Sequence, residues 1–254
     1  MKKIYLSTVA LEKNRWAPGR TPTFQVSDFL SRIKNDGFYG VELWQYHYTL
    51  ANDEEREKLA ASDVPFFFNT YISIEKRDDE LFKSIGDAVK TIGATAVKYN
   101  FGRNYDVIPD VDQQIENLKR LTEYMPDNVK MLCECHANSV MEVPEDAGEI
   151  FNKLDKERFG AIIHLETDSE FADRCFECYG DRIWHIHCAY KGGETAFKPM
   201  DDGSGNVEKL LNYYASKGFD GSFALEFVKF EETAQQHYEN AINDLKFLNT
   251  ITTR

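Results

Sequence analysis

The run KMLCECH at residues 130–136 leaves an apolar segment on a carboxylate and an imidazole, Glu134 and His136. Residues two apart on a strand face the same side, so both side chains would emerge together. Burying such a pair without a partner is costly, and a metal, a substrate or a counter-charge must meet it. Comparable groups end other apolar runs: Glu42, Lys98 with Asn100, His164 with Glu166, His185 with His187, and Glu226. Brought to one point, Glu134, His164, His187 and Glu226 would offer two carboxylates and two imidazoles. That mixed donor set suits Mn2+, Co2+, Zn2+ or Fe2+ better than Mg2+, which prefers oxygen. A divalent ion there would polarise the carbonyl of a hydroxy-ketone, and a carboxylate beside it would take the proton from the adjacent carbon. With Glu134 and Glu226 as the catalytic carboxylates on opposite faces of a small substrate, the chemistry is isomerisation or epimerisation through an enediolate.

These residues need elements that converge. Short apolar runs alternate with charged segments of helical period, the pattern of parallel strands joined by crossover helices. Strands are expected at residues 4–7, 40–43, 65–69, 96–100, 130–135, 160–164, 183–187 and 222–226. The intervening helices have recognisable ends: Ser27 would cap one that Gly37 stops, another runs to Gly93, and Pro109 with Asp110, Pro144 and Asn206 open three more. Eight βα units in 254 residues fit a single (β/α)8 TIM barrel as one domain, residues 1–254. A doubly wound open sheet competes, but neither GxGxxG nor GxxxxGK[ST] follows any strand. In a barrel the carboxyl ends of the strands carry the site, and alternation places Glu134 above Leu132, His187 above His185 and Glu226 above Ala224 on the lumen side.

Composition narrows the partners. With 43 acidic against 30 basic residues the formal charge is -13, which disfavours nucleic acid and anionic membranes and leaves a small-molecule substrate as the expected partner. The five cysteines sit largely in apolar segments, which suggests reduced thiols and a cytoplasmic setting. Cys175 and Cys178 form a CxxC without evident partners and read as two thiols on a helix face. The opening MKKIYLSTVAL reads as a first strand, not a secretory leader, and no apolar run has membrane-spanning length.

The segments GFYGVELW, CECHAN, WHIHCAYK and GFDGSFALEF, in this order, resemble the xylose isomerase-like barrel superfamily of sugar isomerases and epimerases over nearly the whole chain. The resemblance implies a divalent metal held by Glu134, His187 and Glu226, with the two glutamates as acid and base, and an enzyme of carbohydrate metabolism that is often a homo-oligomer. Where that superfamily has an aspartate at the end of strand six, this chain has His164; Glu166 or Asp168 is the alternative ligand. The pattern Glu134-x-His136-x-Asn138, with His185 and His187, is similar to 3-dehydroshikimate dehydratases. A lyase therefore stands beside the isomerase, and a non-catalytic sugar-binding barrel beside both.

Other residues are assigned around this centre. His136, His185, Lys191, Glu42, Trp44 and Asn100 are expected to contact substrate, Lys191 by its likeness to a lysine of the superfamily. Trp16, Trp44, Tyr46 and His47 would wall the pocket or pack the barrel top. Lys98 is expected to pair with a carboxylate. Tyr5 and residues 66–68 belong to the core, His237 to the surface, and residues 249–254 to a frayed tail.

Overall fold

The computed structural model describes residues 2–102, 110–165, 169–193 and 195–252. Strands β1 Lys3–Ser7, β2 Gly40–Trp44, β3 Phe66–Ser73, β4 Ala96–Asn100, β5 Lys130–Glu134, β6 Phe159–His164, β7 Ile183–Cys188 and β8 Ser222–Leu225 pair in order, all parallel. β8 returns to β1 and closes the barrel. Around it lie α1 Thr8–Leu11, α2 Ser27–Asp36, α3 Gln45–Thr49, α4 Asp53–Ala60, α5 Asp79–Ile92, α6 Val111–Thr122, α7 Pro144–Asn152, α8 Ser169–Tyr179, α9 Ser204–Ser216 and α10 Ala234–Thr252. Among the described residues, no helix is long and apolar enough to cross a membrane.

Local chemistry accounts for most helix ends. The Asp78 side chain accepts from Leu81 N at 2.9 Å to open α5, and Gly93, at φ 63°, closes it. Asp110 opens α6 in the same way, through Gln113 N at 2.9 Å. Three ends depart from expectation, and a fourth falls outside the described residues. Ser27 does not cap α2 but is its first residue, because the buried Glu55 carboxylate of α4 takes both its N–H and its hydroxyl. The opening of α6 at Pro109 lies outside the described residues. α9 begins at Ser204, two residues ahead of Asn206. The tail does not fray at residue 249: α10 continues to Thr252, with Ile251 buried against the core.

The barrel is filled in layers. Outward-facing strand residues form the large core under the helices, while Tyr5, Phe67, Leu132, Ile162 and Ala224 make a separate apolar plug inside. Gly40 lets the Tyr5 ring lie across this plug, since a Cβ there would sit 2.8 Å from that ring and 2.4 Å from Pro65 O. The plug is the floor on which the polar layer above it stands, one step along each strand.

His237 is not a surface residue. It is fully buried on α10, its Nε2 accepting from Glu231 N at 2.7 Å and its Nδ1 lying 3.0 Å from Leu11 O, so the ring ties α10 to the end of α1. Nearby on α10, burial first, and Asp201 and Asp202 after it, push the Asp244 carboxyl up to about 7 despite the bond it accepts from Met200 N. In the unfolded chain this proton leaves near 3.8. Between those values the fold holds the extra proton, so the stability it contributes is full below 3.8 and is lost as pH rises through about 7. Asp244→Asn cannot ionise and should lose on the order of a few kcal/mol less stability than wild type between pH 5 and pH 8. Denaturant unfolding at both pH values measures this, and identical losses in the two proteins would refute it.

Candidate active site

Four successive strands bring one donor each to the barrel mouth. β5 ends on Glu134, β6 on His164 and β7 carries His187, while Glu226 directly follows β8 and is held in line by its N–H to Cys188 O at 3.1 Å. The register sets His164 beside His187 and His187 beside Ala224. His187 Nδ1 lies 3.2 Å from Glu134 Oε1 and 3.4 Å from Glu226 Oε2, and His164 Nε2 lies 3.2 Å and 3.7 Å from the same two oxygens. One donor atom from each residue falls within 4.8 Å of all the others.

This cluster fits a divalent ion. His187 is 1% exposed, and neither ring nitrogen has a hydrogen bond of acceptable geometry, although Nδ1 points between two carboxylates. Burial would lower the charge on this ring, but Glu226, Glu42 and Glu134 outweigh it and hold its pKa well above the ordinary value. The field at this point calls for positive charge, which a proton or a metal ion can supply. Two carboxylates with two imidazoles form a ligand set of the kind that zinc and the neighbouring transition metals take.

Lys98 makes the two glutamates unequal. Its Nζ, fully buried on β4, lies 2.5 Å from Glu134 Oε2, as the pairing expected for a lumen lysine requires. Burial alone would raise the Glu134 pKa; Lys98 above all, then His164 and His187, hold it well below the carboxylate range. Among the described residues no lysine or arginine lies within 4.0 Å of Glu226, whose ionic neighbours are His164 and His187.

Behind the cluster a buried carboxylate organises the imidazoles. Glu42 Oε2 lies 3.0 Å from His185 Nε2 and 3.2 Å from His187 Nε2, while Oε1 accepts from Ser7 Oγ and from Asn69 Nδ2. The far side of His185 meets Ser222 Oγ at 2.7 Å, and its ring packs edge-on against Tyr5 and Phe67. Burial opposes the Glu42 charge, but the two histidines overcome it and hold the carboxyl far below its usual range. Glu42 thus sets a negative charge 3.2 Å behind His187, whose other ring nitrogen faces Glu134 and Glu226.

A cavity of about 630 Å³ opens above these groups. Glu134, His164, Glu226, Lys98, Asn100, His136 and Lys191 line it, whereas His187 stands just behind its floor. Three expected substrate contacts are corrected. Glu42, Trp44 and His185 are fully buried and line no part of the cavity, because each is one layer too deep or turned into the barrel wall; Trp44 packs on Tyr46 and His47. His47 likewise bonds Thr8 and Glu12 beneath the loops. Glu166 and Asp168 lie outside the described residues.

The wall contains residues that strand-end reasoning missed: Arg20, Tyr71, Phe197 and Phe227. Phe227 follows Glu226 and was within reach of that reasoning. Tyr71 was not, because β3 runs four residues past the expected Asn69 through a register shift against β4. Phe197 stacks on Phe227 at 4.4 Å, and Trp16 lies 6.0 Å from Phe227. Cys175 and Cys178 sit on α8, with all five thiols free, away from this cavity.

A closed parallel barrel with a mixed oxygen and nitrogen cluster at its mouth defines the structural class. No protein-family model matches the chain, and no curated protein matches it. Solved structures do. The probable 3-DHS dehydratase AsbF of Bacillus anthracis, involved in petrobactin synthesis, is 15% identical with a TM-score of 0.68, over 100% of this chain and 99% of its own. The IOLI protein with a bound zinc atom is 15% identical with a TM-score of 0.66, over 99% of each chain. A xylose isomerase-like TIM barrel protein from Mycobacterium smegmatis in complex with magnesium is 15% identical with a TM-score of 0.64, over 99% of this chain and 98% of its own. The chain has the fold of the xylose isomerase-like barrels.

Proposed function

We propose that the protein is a metal-dependent isomerase or epimerase of a small sugar or hydroxy-keto compound. The observation that carries this reading is the convergence of Glu134, His164, His187 and Glu226 within 4.8 Å beside an open cavity. A divalent ion held by these four residues would polarise the substrate carbonyl. Glu226, without an ammonium against it, accepts the proton from the carbon beside the carbonyl. The C–H electron pair becomes the carbon–carbon double bond of an enediolate, and the carbonyl pair moves to oxygen. Transfer of the hydroxyl proton to the former carbonyl oxygen and return of a proton from Glu226 to the former carbonyl carbon complete isomerisation; return of a proton to the opposite face of the original carbon, from Glu134 in its protonated form, completes epimerisation. Lys98 holds Glu134 in place, and the aromatic wall limits water at the reacting carbon.

A lyase is the second reading, favoured by His136, which lines the cavity with its ring 5.9 Å from that of His164. The same proton removal followed by departure of a β-hydroxyl, protonated by His136, would release water and leave an enone. Likeness to the probable dehydratase supports this alternative.

Incubation of the Mn2+-loaded protein with ketoses and with 3-dehydroshikimate in D2O distinguishes them. Deuterium entering the carbon beside the carbonyl, with no ultraviolet-absorbing product, is the expected result. An absorbing enone or aromatic product would make the protein a lyase. Neither deuterium uptake nor metal binding would leave a barrel that only binds its ligand.

A further inference from the structure

The loop between α1 and α2 is built to hold a guanidinium at the cavity mouth. Its base is locked by Glu12, fully buried, which accepts from Asn14 N at 2.9 Å, Thr23 N at 2.8 Å and Thr23 Oγ1 at 2.8 Å and meets His47 Nε2 at 3.2 Å. Both ends of residues 12–23 are thereby held together, as in a compact Ω-loop. Within it Gly19 and Arg20 have φ of 76° and 47°, and Arg20 is one of two described non-glycine residues in the left-handed region. A left-handed arginine is uncommon and needs a surrounding structure that holds it there. The guanidinium of Arg20 then sits by two aromatic rings, its Cζ 4.5 Å from the Tyr71 ring centre and 5.6 Å from that of Tyr46.

The edge of this guanidinium is unused. Among the described residues its side chain makes no hydrogen bond, and no carboxylate lies within 4.0 Å of it. A guanidinium held beside aromatic rings keeps its N–H donors, and a planar carboxylate or a phosphate can meet two of them with parallel bonds. The same loop brings a second cation close: Arg15, 4% exposed, bonds Glu12 O at 2.7 Å and sits over Phe227 and Phe230, 5.3 Å from each ring centre. No carboxylate lies within 4.0 Å of it either, among the described residues. In a chain of formal charge -13, a guanidinium on the cavity wall with no carboxylate within 4.0 Å among the described residues, and a second one buried in the same loop, require a reason. A neutral polyol would leave them unanswered.

We propose that the substrate bears an anionic group, a carboxylate or a phosphate, that Arg20 binds while the reacting hydroxy-keto end lies at the glutamate and histidine cluster. Arg20 is thus the specificity-determining residue of the cavity, and Arg15 adds to the positive field beneath it. This inference rests on reading the cavity as the substrate site.

The test compares D-sorbitol, D-gluconate and D-sorbitol 6-phosphate, binding to the full chain by calorimetry at low ionic strength, with and without Mn2+. At least one anion should bind about 10–100-fold more tightly than sorbitol, the worth of a charge-assisted contact. Which anion gains identifies carboxylate or phosphate as the group. In Arg20→Gln that advantage should vanish with Mn2+ affinity unchanged, and Arg20→Lys should keep part of it. An advantage that persists in Arg20→Gln would mean that the anion binds elsewhere, at the metal for instance, and would overturn the proposal. Equal affinities, or no binding by either anion, would overturn it as well. Failure of Mn2+ to bind wild type would instead count against the metal reading, since the metal-free comparison stands apart from it.

Discussion

Glu226→Gln is expected to lower turnover by about 10²–10⁴-fold, the usual worth of a positioned acid–base group, with the melting temperature nearly unchanged. Glu134→Gln should be equally inactive and, in addition, lose about 3–5 kcal/mol of stability. The difference lies in Lys98. Its ammonium is 1% exposed and 2.5 Å from Glu134 Oε2, so a neutral amide would leave a buried charge without its counter-charge. Glu226 carries no such obligation, since its ionic neighbours are imidazoles, and the proton that its charge favours on His187 can leave with that charge. Denaturant unfolding of the two variants and of Glu134→Gln/Lys98→Met measures this, and the double variant should recover much of the loss because neither charge remains. Wild-type turnover in either glutamate variant would sink the catalytic assignment; equal stability of the two would sink the account of Lys98.

Removing the support behind the cluster should be felt in the metal. Glu42→Gln is expected to weaken Mn2+ or Zn2+ binding by about 10–100-fold, although Glu42 is not one of the four converging side chains and lines no part of the cavity. Its two oxygens meet four groups: Ser7 and Asn69 on Oε1, His185 and His187 on Oε2. An amide offers one acceptor oxygen and one NH2. If the NH2 faces Asn69 Nδ2, two donors oppose each other; if it faces the histidines, their Nε2 atoms must give up their protons. The second arrangement moves the His187 proton to Nδ1, the nitrogen that faces Glu134 and Glu226, and blocks it as a ligand. Calorimetric titration of the metal into both proteins reads the change directly, and an unaltered affinity would show that Glu42 does not orient His187.

Much of the barrel was legible in residue order because strand and helix periods are local properties. The eight apolar runs became eight strands, and Asp78, Gly93 and Pro144 mark helix ends where their backbone chemistry says they should. The departures are all non-local. Ser27 lost its capping role to Glu55, which is 28 residues away. His237 became a buried strut because Leu11 O and Glu231 N found both its nitrogens, and β3 ran long because a register shift allowed it.

The candidate site divides along the same line. Strand alternation and the barrel rule by themselves determined that Glu134, His164, His187 and Glu226 could face one lumen, since side-chain direction repeats every two residues and closure brings the strand ends together. Depth along the barrel axis was decided only by the tertiary structure, because the stagger between strands is a property of their pairing. That stagger buried Glu42 beside His185, which alternation had already set a layer below His187, and set Lys98 against one glutamate alone. The loops, which have no period to read, placed Arg20 over Tyr71 and brought Phe197 onto Phe227, completing the cavity around a cluster that the strands had already aimed.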